Sequence, residues 1–261
     1  MKIALGLEYN GSRYCGWQIQ KNKNTIQDKV QYAISKIANQ KIKVFCAGRT
    51  DAGVHSTGQV IHFETNKIRN EKSWTIGVNN YLPKDITIKW IREVKNNFHA
   101  RFSALSRRYF YIIYNNIYRP SLIYKNVTHI KHSLNINNMY KSGQLLLGEK
   151  NFNSFRSSKC QSKTPWRNVI HFNIIKFYYP YIIFDIKANS FLHHMVRNIM
   201  GSIIEIGKGK YPIKWISEIL KSKNKKISFI KAKSKGLYLS EIEYPKKFNL
   251  PKFKVNSLFN F

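Results

Sequence analysis

The chain reads as an α+β protein with a large sheet and helices packed on one face. Three observations lead there. Segments of two-residue alternation such as KIALGLEY and RRYFYIIYN mark strands. Stripes of helical period, such as Ile26, Val30, Ile34 and Ile37, interleave with them. NVIHFNIIKFYY and YIIFDIKA meet at Pro180 as a hairpin, which requires antiparallel pairing and argues against an all-parallel α/β sheet.

Each element has a local reason. KIALGLEY sets Ile3, Leu5, Leu7 and Tyr9 on one strand face, and NGSRYCGWQ follows as a glycine-rich loop. TIQDKVQYAISKIAN is a helix with Asn24 or Thr25 as its N-cap. KIKVFCA and QVIHFET are strands on either side of a turn, and SWTIGVNNYLP is a short helix stopped at Pro83. ITIKWIREV and RRYFYIIYN are strands. NINNMYKSGQLLLG is a helix ending at Gly148, and the hairpin around Pro180 follows. SFLHHMVRNIMGSIIEIG is a helix ending at Gly207, PIKWISEILK is a helix with Pro212 near its first turn, and GLYLSEIEY is a closing strand. The two halves share this style without a residue-level repeat, and the lysine-rich stretches KSKNKKISFIKAKSK and YPKKFNLPKFK read as solvated faces.

Composition narrows the partners. Of 261 residues, 45 are Lys or Arg and 13 are Asp or Glu, a net charge of +32, while 43% hydrophobic content supplies a proper core. The excess charge therefore lies on a folded surface, where it attracts polyanions, above all nucleic acid. Abundant Lys, Asn and Ile also point to an AT-rich genome, which accounts for part of the lysine but less easily for the shortage of acids. Cys15, Cys46 and Cys160 are scattered, odd in number and without CxxC spacing, so neither a disulfide framework nor a zinc site is expected and a cytoplasmic location fits. The apolar run in MKIALGLEYNGS is too short for a secretion leader, and no stretch is long enough to span a membrane.

Against this background CAGRTDAGVHSTGQVIHF stands out. Of the four aspartates, Asp28 falls in a helix's first turn, Asp85 in a turn after Pro83 and Asp185 inside a strand. Asp51 alone sits in a loop between strands, flanked by Gly48 and Gly53, with Arg49 two residues away to favour its charged form. Such a carboxylate can act as a nucleophile, or it can be a turn residue bonding its own backbone. Tyr109 lies on the strand face of Arg107, Tyr111 and Ile113, as a core aromatic or a stacking surface. Arg197 lies on a helix strip with His193 and Gly201, either reaching to solvent or pairing with an acid; Gly201 there permits close approach of another backbone. His55 and His62 lack a third ligand at useful spacing, and His193 and His194 read as packing and solvent-facing groups on their helix.

GRTDAGVHSTGQVIHF resembles the signature of the TruA family of tRNA pseudouridine synthases. RFSALSRRYFYIIYN, NFNSFRSSKCQSKTPWRNV, FLHHMVRNIMGSIIEIGKG and GLYLSEI resemble its later blocks, in the same order, so the resemblance runs from the first strand to about residue 244. Ser56, His193 and Lys233 depart from the commoner family residues, which touches substrate positioning and not the chemistry. The resemblance implies a pseudouridine synthase fold: a mixed, mostly antiparallel sheet from two ferredoxin-like halves, 1–104 with the catalytic Asp loop and 105–261 with Tyr109 and Arg197, and a catalytic cleft between them.

The resemblance also implies an isomerase that works without cofactor or metal. Uridine's N1–C1′ bond is cut, the uracil rotates, and C5 joins C1′, at positions 38, 39 and 40 of the tRNA anticodon stem-loop. By the same resemblance Asp51 is the nucleophile, Arg197 its ion-pair partner, Arg49 the group that helps extrude the base and grip the backbone, and Tyr109 the ring that stacks on the everted base. Regional choice of uridine is what recognition of shape and phosphate gives, and the family acts as a homodimer on tRNA. A non-catalytic RNA-binding protein on the same fold is the competing reading, although such a protein would be free to lose Asp51. A metal-dependent nuclease would need clustered acids, and no close pair lies near Asp51 in the sequence.

Overall fold

The structure is a computed structural model and describes residues 1–222 and 230–251. In chain order the strands and α-helices are β1 (Lys2–Tyr9), α1 (Ile26–Ala38), β2 (Phe45–Cys46), β3 (His55–Glu64), α2 (Val78–Tyr81), β4 (Ile86–Val94), β5 (Ser106–Asn115), β6 (Thr128–Ile130), α3 (Ile136–Gln144), β7 (Gly148–Asn151), β8 (Trp166–Tyr178), β9 (Tyr181–Ala188), α4 (Met195–Gly207), α5 (Trp215–Lys221) and β10 (Leu237–Glu243). The protein is α+β, with ten strands and five α-helices among the described residues. Two compact units emerge, one of residues 1–107 with the stretch from Tyr238 onward, the other of residues 108–237.

In the first unit the strand order is β4-β1-β3-β10, with β2 paired to β3. β1 runs antiparallel to β3 and β4, while β10 joins β3 in parallel with Tyr238 opposite His55. The alternation in β1 does what it predicts. Ile3, Leu5 and Leu7 pack with Ile26, Val30 and Ile34 of α1 and with Phe63 of β3, Ile37 lying partly buried beside them. Each such side chain removed from water contributes about 1.5–3 kcal/mol. Asn39 closes α1 in the left-handed region, its N–H donating to Ser35 and Lys36 carbonyls. Thr25 takes the N-cap position without a side-chain cap bond. The opposite sheet face carries Ala4 and Val60 and is covered by Phe98 and Ala100 from a loop and by Phe248 from a short 3-10 helix, so in this unit α1 and α2 keep to one face.

The strand expected over KIKVFCA shrinks to Phe45–Cys46. Side chains of α1 take the backbone groups before it: Ser35 Oγ accepts from Ile42 N–H (3.0 Å), Gln31 Oε1 accepts from Val44 N–H (3.1 Å), and Gln27 donates to the Val44 carbonyl. Those groups need no strand partner. The helix expected over SWTIGVNNYLP forms as a π-turn, Ser73–Gly77, leading into α2, and Leu82 before Pro83 is extended.

In the second unit the order is β5-β9-β8-β7, with β6 parallel to β5. The expected hairpin is β8–β9, antiparallel from Val169↔Ala188 to Tyr178↔Tyr181. Three helix bounds differ from expectation. α3 stops at Gln144, and Gly148, at φ +86°, opens the four-residue β7. α4 begins at Met195, because His194 has φ +66° and so stands outside the helix. α5 begins at Trp215, three residues after Pro212, whose carbonyl accepts the Trp215 N–H. Parts of both lysine-rich stretches, 223–229 and 252–254, lie outside the described residues.

Candidate active site

In the first unit the segment between β2 and β3 carries Arg49 and Asp51. Asp51 opens a turn in which the Val54 N–H donates to the Asp51 carbonyl (3.1 Å) and Gly53 takes φ +74°. A side chain at position 53 would be strained in that left-handed conformation, which is why glycine stands there. Gly48 is clamped at both backbone groups by the Gln59 carboxamide, which donates to its carbonyl at 2.7 Å and accepts from its N–H at 3.3 Å. Thr50 is buried; its hydroxyl lies 2.8 Å from Tyr9 Oη, which also accepts from Gln59 Nε2. The Thr50 carbonyl accepts from Trp17 N–H and the Tyr14 carbonyl from Gly53 N–H. The segment is thus fastened from β1, β3 and the loop of residues 10–17. It leaves Arg49 exposed and Asp51 half-buried.

The other aspartates serve structure. Asp28 is exposed in the first turn of α1. Asp85 accepts from Arg13 Nε at 2.8 Å and Tyr14 Oη at 2.6 Å. Burial works to raise its carboxyl, but those hydrogen bonds outweigh it and hold the group below the usual carboxylate range. Asp185, 1% exposed on β9, takes a bidentate bond from Arg108 of β5 at 2.9 and 2.7 Å, with His171 Nε2 3.0 Å away. The Arg108–Asp185 pair was not anticipated from sequence. Its signal is a lone acid in an apolar strand, which cannot be buried without a cation.

In the second unit Tyr109 stands on β5, 8% exposed, edge-on to Phe191 with ring centres 5.2 Å apart. Two residues on, Tyr111 is fully buried; its hydroxyl meets Thr128 Oγ1 at 2.7 Å and donates to the Lys233 carbonyl at 2.9 Å. Arg197 lies in the first turn of α4. Its Nε donates to the Ala232 carbonyl (2.9 Å), and its own carbonyl accepts from Ala232 N–H (3.0 Å), which ties the helix to the strap of residues 230–233. That strap passes against Gly201, where an added Cβ would fall 1.4 Å from the Ile230 carbonyl oxygen. The expected close approach of a backbone at Gly201 is therefore present. His193 and His194 do not project in two directions from a helix. They precede α4, with ring centres 3.9 Å apart.

Arg107 is a buried guanidinium whose part sequence reading missed. It donates to the carbonyls of Ala47, Arg101 and Ala104, joining the residue before Gly48 to the loop that precedes β5. A loop without regular structure can be held this firmly because one planar fork satisfies several orphan carbonyls. Cys46 lies in the field of Arg49, Arg101 and Arg107, yet burial dominates and pushes its thiol up to about 12, so it is an inert neutral group.

A profile of the tRNA pseudouridine synthases matches residues 7–103 and 143–245, most of both units. The chain belongs to that family. It is 53% identical to the tRNA pseudouridine synthase A of Escherichia fergusonii over 258 residues, covering 99% of this chain and 95% of the relative. It is 52% identical to the proteins of the same name from Salmonella paratyphi B and Salmonella newport, with the same coverage.

Proposed function

We propose that this chain isomerises uridine to pseudouridine at positions 38, 39 and 40 of the tRNA anticodon stem-loop. The observation that carries the reading is the place of Asp51, half-buried on a segment anchored through Thr50, Gly48 and Gly53, in a chain that matches the family across both halves. In the proposed reaction Asp51 attacks the target nucleoside, N1–C1′ breaks, the uracil turns, C5–C1′ forms, the bond to Asp51 is released, and the proton lost from C5 is matched by one taken up at N1. Atoms balance without an added reactant. Arg197 serves as the counter-charge that keeps Asp51 ionised, Arg49 helps extrude the base and holds the backbone, and Tyr109 stacks on the extruded ring. Asp51 and Arg49 belong to the first half of the chain, and Tyr109 and Arg197 to the second.

Two finer points belong to the same proposal. The enzyme works as a homodimer on one tRNA, which light scattering with and without tRNA tests. It acts in the cytoplasm, consistent with three cysteines that form no disulfide. Among the described residues no helix is long and apolar enough to cross a membrane. The main test is to incubate the protein with an unmodified tRNA transcript in the presence of a chelator and map pseudouridine chemically. Pseudouridine confined to positions 38–40 is expected. Its absence, or its formation elsewhere in the tRNA, contradicts the proposal.

A further inference from the structure

Phe102 is 76% exposed, yet it stands on a rigid loop. Ser103 Oγ accepts from His99 N–H, and Ser103 N–H returns a bond to the His99 carbonyl. His99 Nδ1 faces the backbone N–H groups of Arg101 and Phe102 at 3.1 and 3.3 Å. Below them His62 Nδ1 accepts from Ala100 N–H, while Tyr244 donates to the Ala100 carbonyl. Arg107 holds the Arg101 carbonyl and, with the same nitrogen, the Ala47 carbonyl, four residues before Asp51. An exposed Phe on a mobile loop needs no explanation. One whose backbone is fastened at every neighbouring residue, on an anchor shared with the Asp51 segment, does.

The ring's surroundings indicate what it meets. It packs on His99 with centres 4.4 Å apart and tilted by 32°, and the Arg101 guanidinium lies 5.5 Å from its centre. Phe45, with Lys43 Nζ 5.4 Å from its ring, continues the aromatic surface behind His99. Neither 39–50 nor 95–108 contains an acid, so these two segments offer aromatic and cationic groups; the nearby Glu64 pairs with Lys2 at 3.2 Å, and Glu243 accepts from Ser106 Oγ at 2.8 Å. That combination of rings and cations suits a nucleobase and its phosphates better than an apolar protein surface.

We infer that Phe102 is a preformed stacking platform for a nucleobase of the bound RNA, with Arg101 beside it on the backbone. This rests on the tRNA reading above and adds to it a binding residue outside the Asp51 segment. Because its loop is already ordered, little conformational entropy is lost when a base docks on it.

The test compares wild type with Phe102→Ala, Phe102→Trp and Arg101→Gln, each checked by thermal melt. Binding to an unmodified tRNA transcript is measured alongside quenching of 2-aminopurine placed singly along its anticodon arm. Phe102→Ala is expected to weaken binding by about five- to a hundredfold and to abolish quenching at one position. Phe102→Trp should stay within about twofold of wild type, since stacking tolerates any aromatic ring. Arg101→Gln should weaken binding and reduce its salt dependence. Wild-type affinity and quenching in Phe102→Ala overturn the inference. So does a loss of affinity that accompanies a halved mass in light scattering, which marks a contact between copies. Tritium release from C5-labelled tRNA, run in parallel, separates the two claims: a wild type that binds but never releases label contradicts the isomerase reading and leaves the binding comparison decisive for Phe102.

Discussion

Thr50 sits between Arg49 and Asp51 and turns inward, and its bond to Tyr9 makes the placement of Asp51 a matter of buried polar contacts rather than of loop flexibility. Tyr9→Phe removes that bond and the one from Gln59, leaving partners unsatisfied at a buried site. A loss of about 1–3 kcal/mol is expected in urea unfolding, with a fall in turnover larger than the fall in tRNA affinity. Equal losses in both would mean that Tyr9 supports binding alone. The special position of Asp51 was legible in the sequence because only four aspartates compete for attention. The clamp of Gln59 on Gly48 was not, since it joins residues 11 apart through a side-chain amide that leaves no periodic trace.

At the scale of elements, the strand alternation and helix stripes carried most of the fold. They were weakest where side chains replace backbone pairing, as in residues 42–44, and where an element is too short to have a period, as in β6 and β7. The strap of residues 230–233 and α4 form one device: Gly201 admits the strap and Arg197 fastens it. Gly201→Ala is expected to push it away and cost about 1–3 kcal/mol of stability. A fall in activity beyond the fraction unfolded would show that Arg197 is misplaced as well. In β5–β9, Arg108→Ala would remove the bidentate cation from buried Asp185 and leave only His171 beside it, and a loss of about 3–5 kcal/mol is expected. A matched apolar pair, Arg108→Met with Asp185→Leu, should recover much of it in the same unfolding measurement.

At the scale of the whole molecule two titrations follow. Net charge +32 predicts that tRNA binding is led by phosphate contacts, so affinity should fall linearly in a plot of log K against log salt, and a flat response would exclude that mode. Stability has an acid limb of its own. Burial above all, then the charges of His99 and Lys2, push His62 down to about 4. Both states hold this ring neutral above the ordinary histidine value of about 6.5. As pH falls from there towards 4, the unfolded chain takes up a proton that the native protein refuses, so stability declines by up to about 1.4 kcal/mol per pH unit. His62→Asn, which keeps an acceptor for the Ala100 N–H, should flatten that limb in melts taken between pH 7 and 4.5. The proposed isomerisation depends on the Asp51 carboxylate doing covalent work on the bound RNA. The most direct measurement is tritium release from C5-labelled, unmodified tRNA by Asp51→Asn, with affinity for the same tRNA measured alongside. Release abolished with affinity kept within a fewfold of wild type is the result expected; an Asn variant that still releases label at a comparable rate would contradict the assignment.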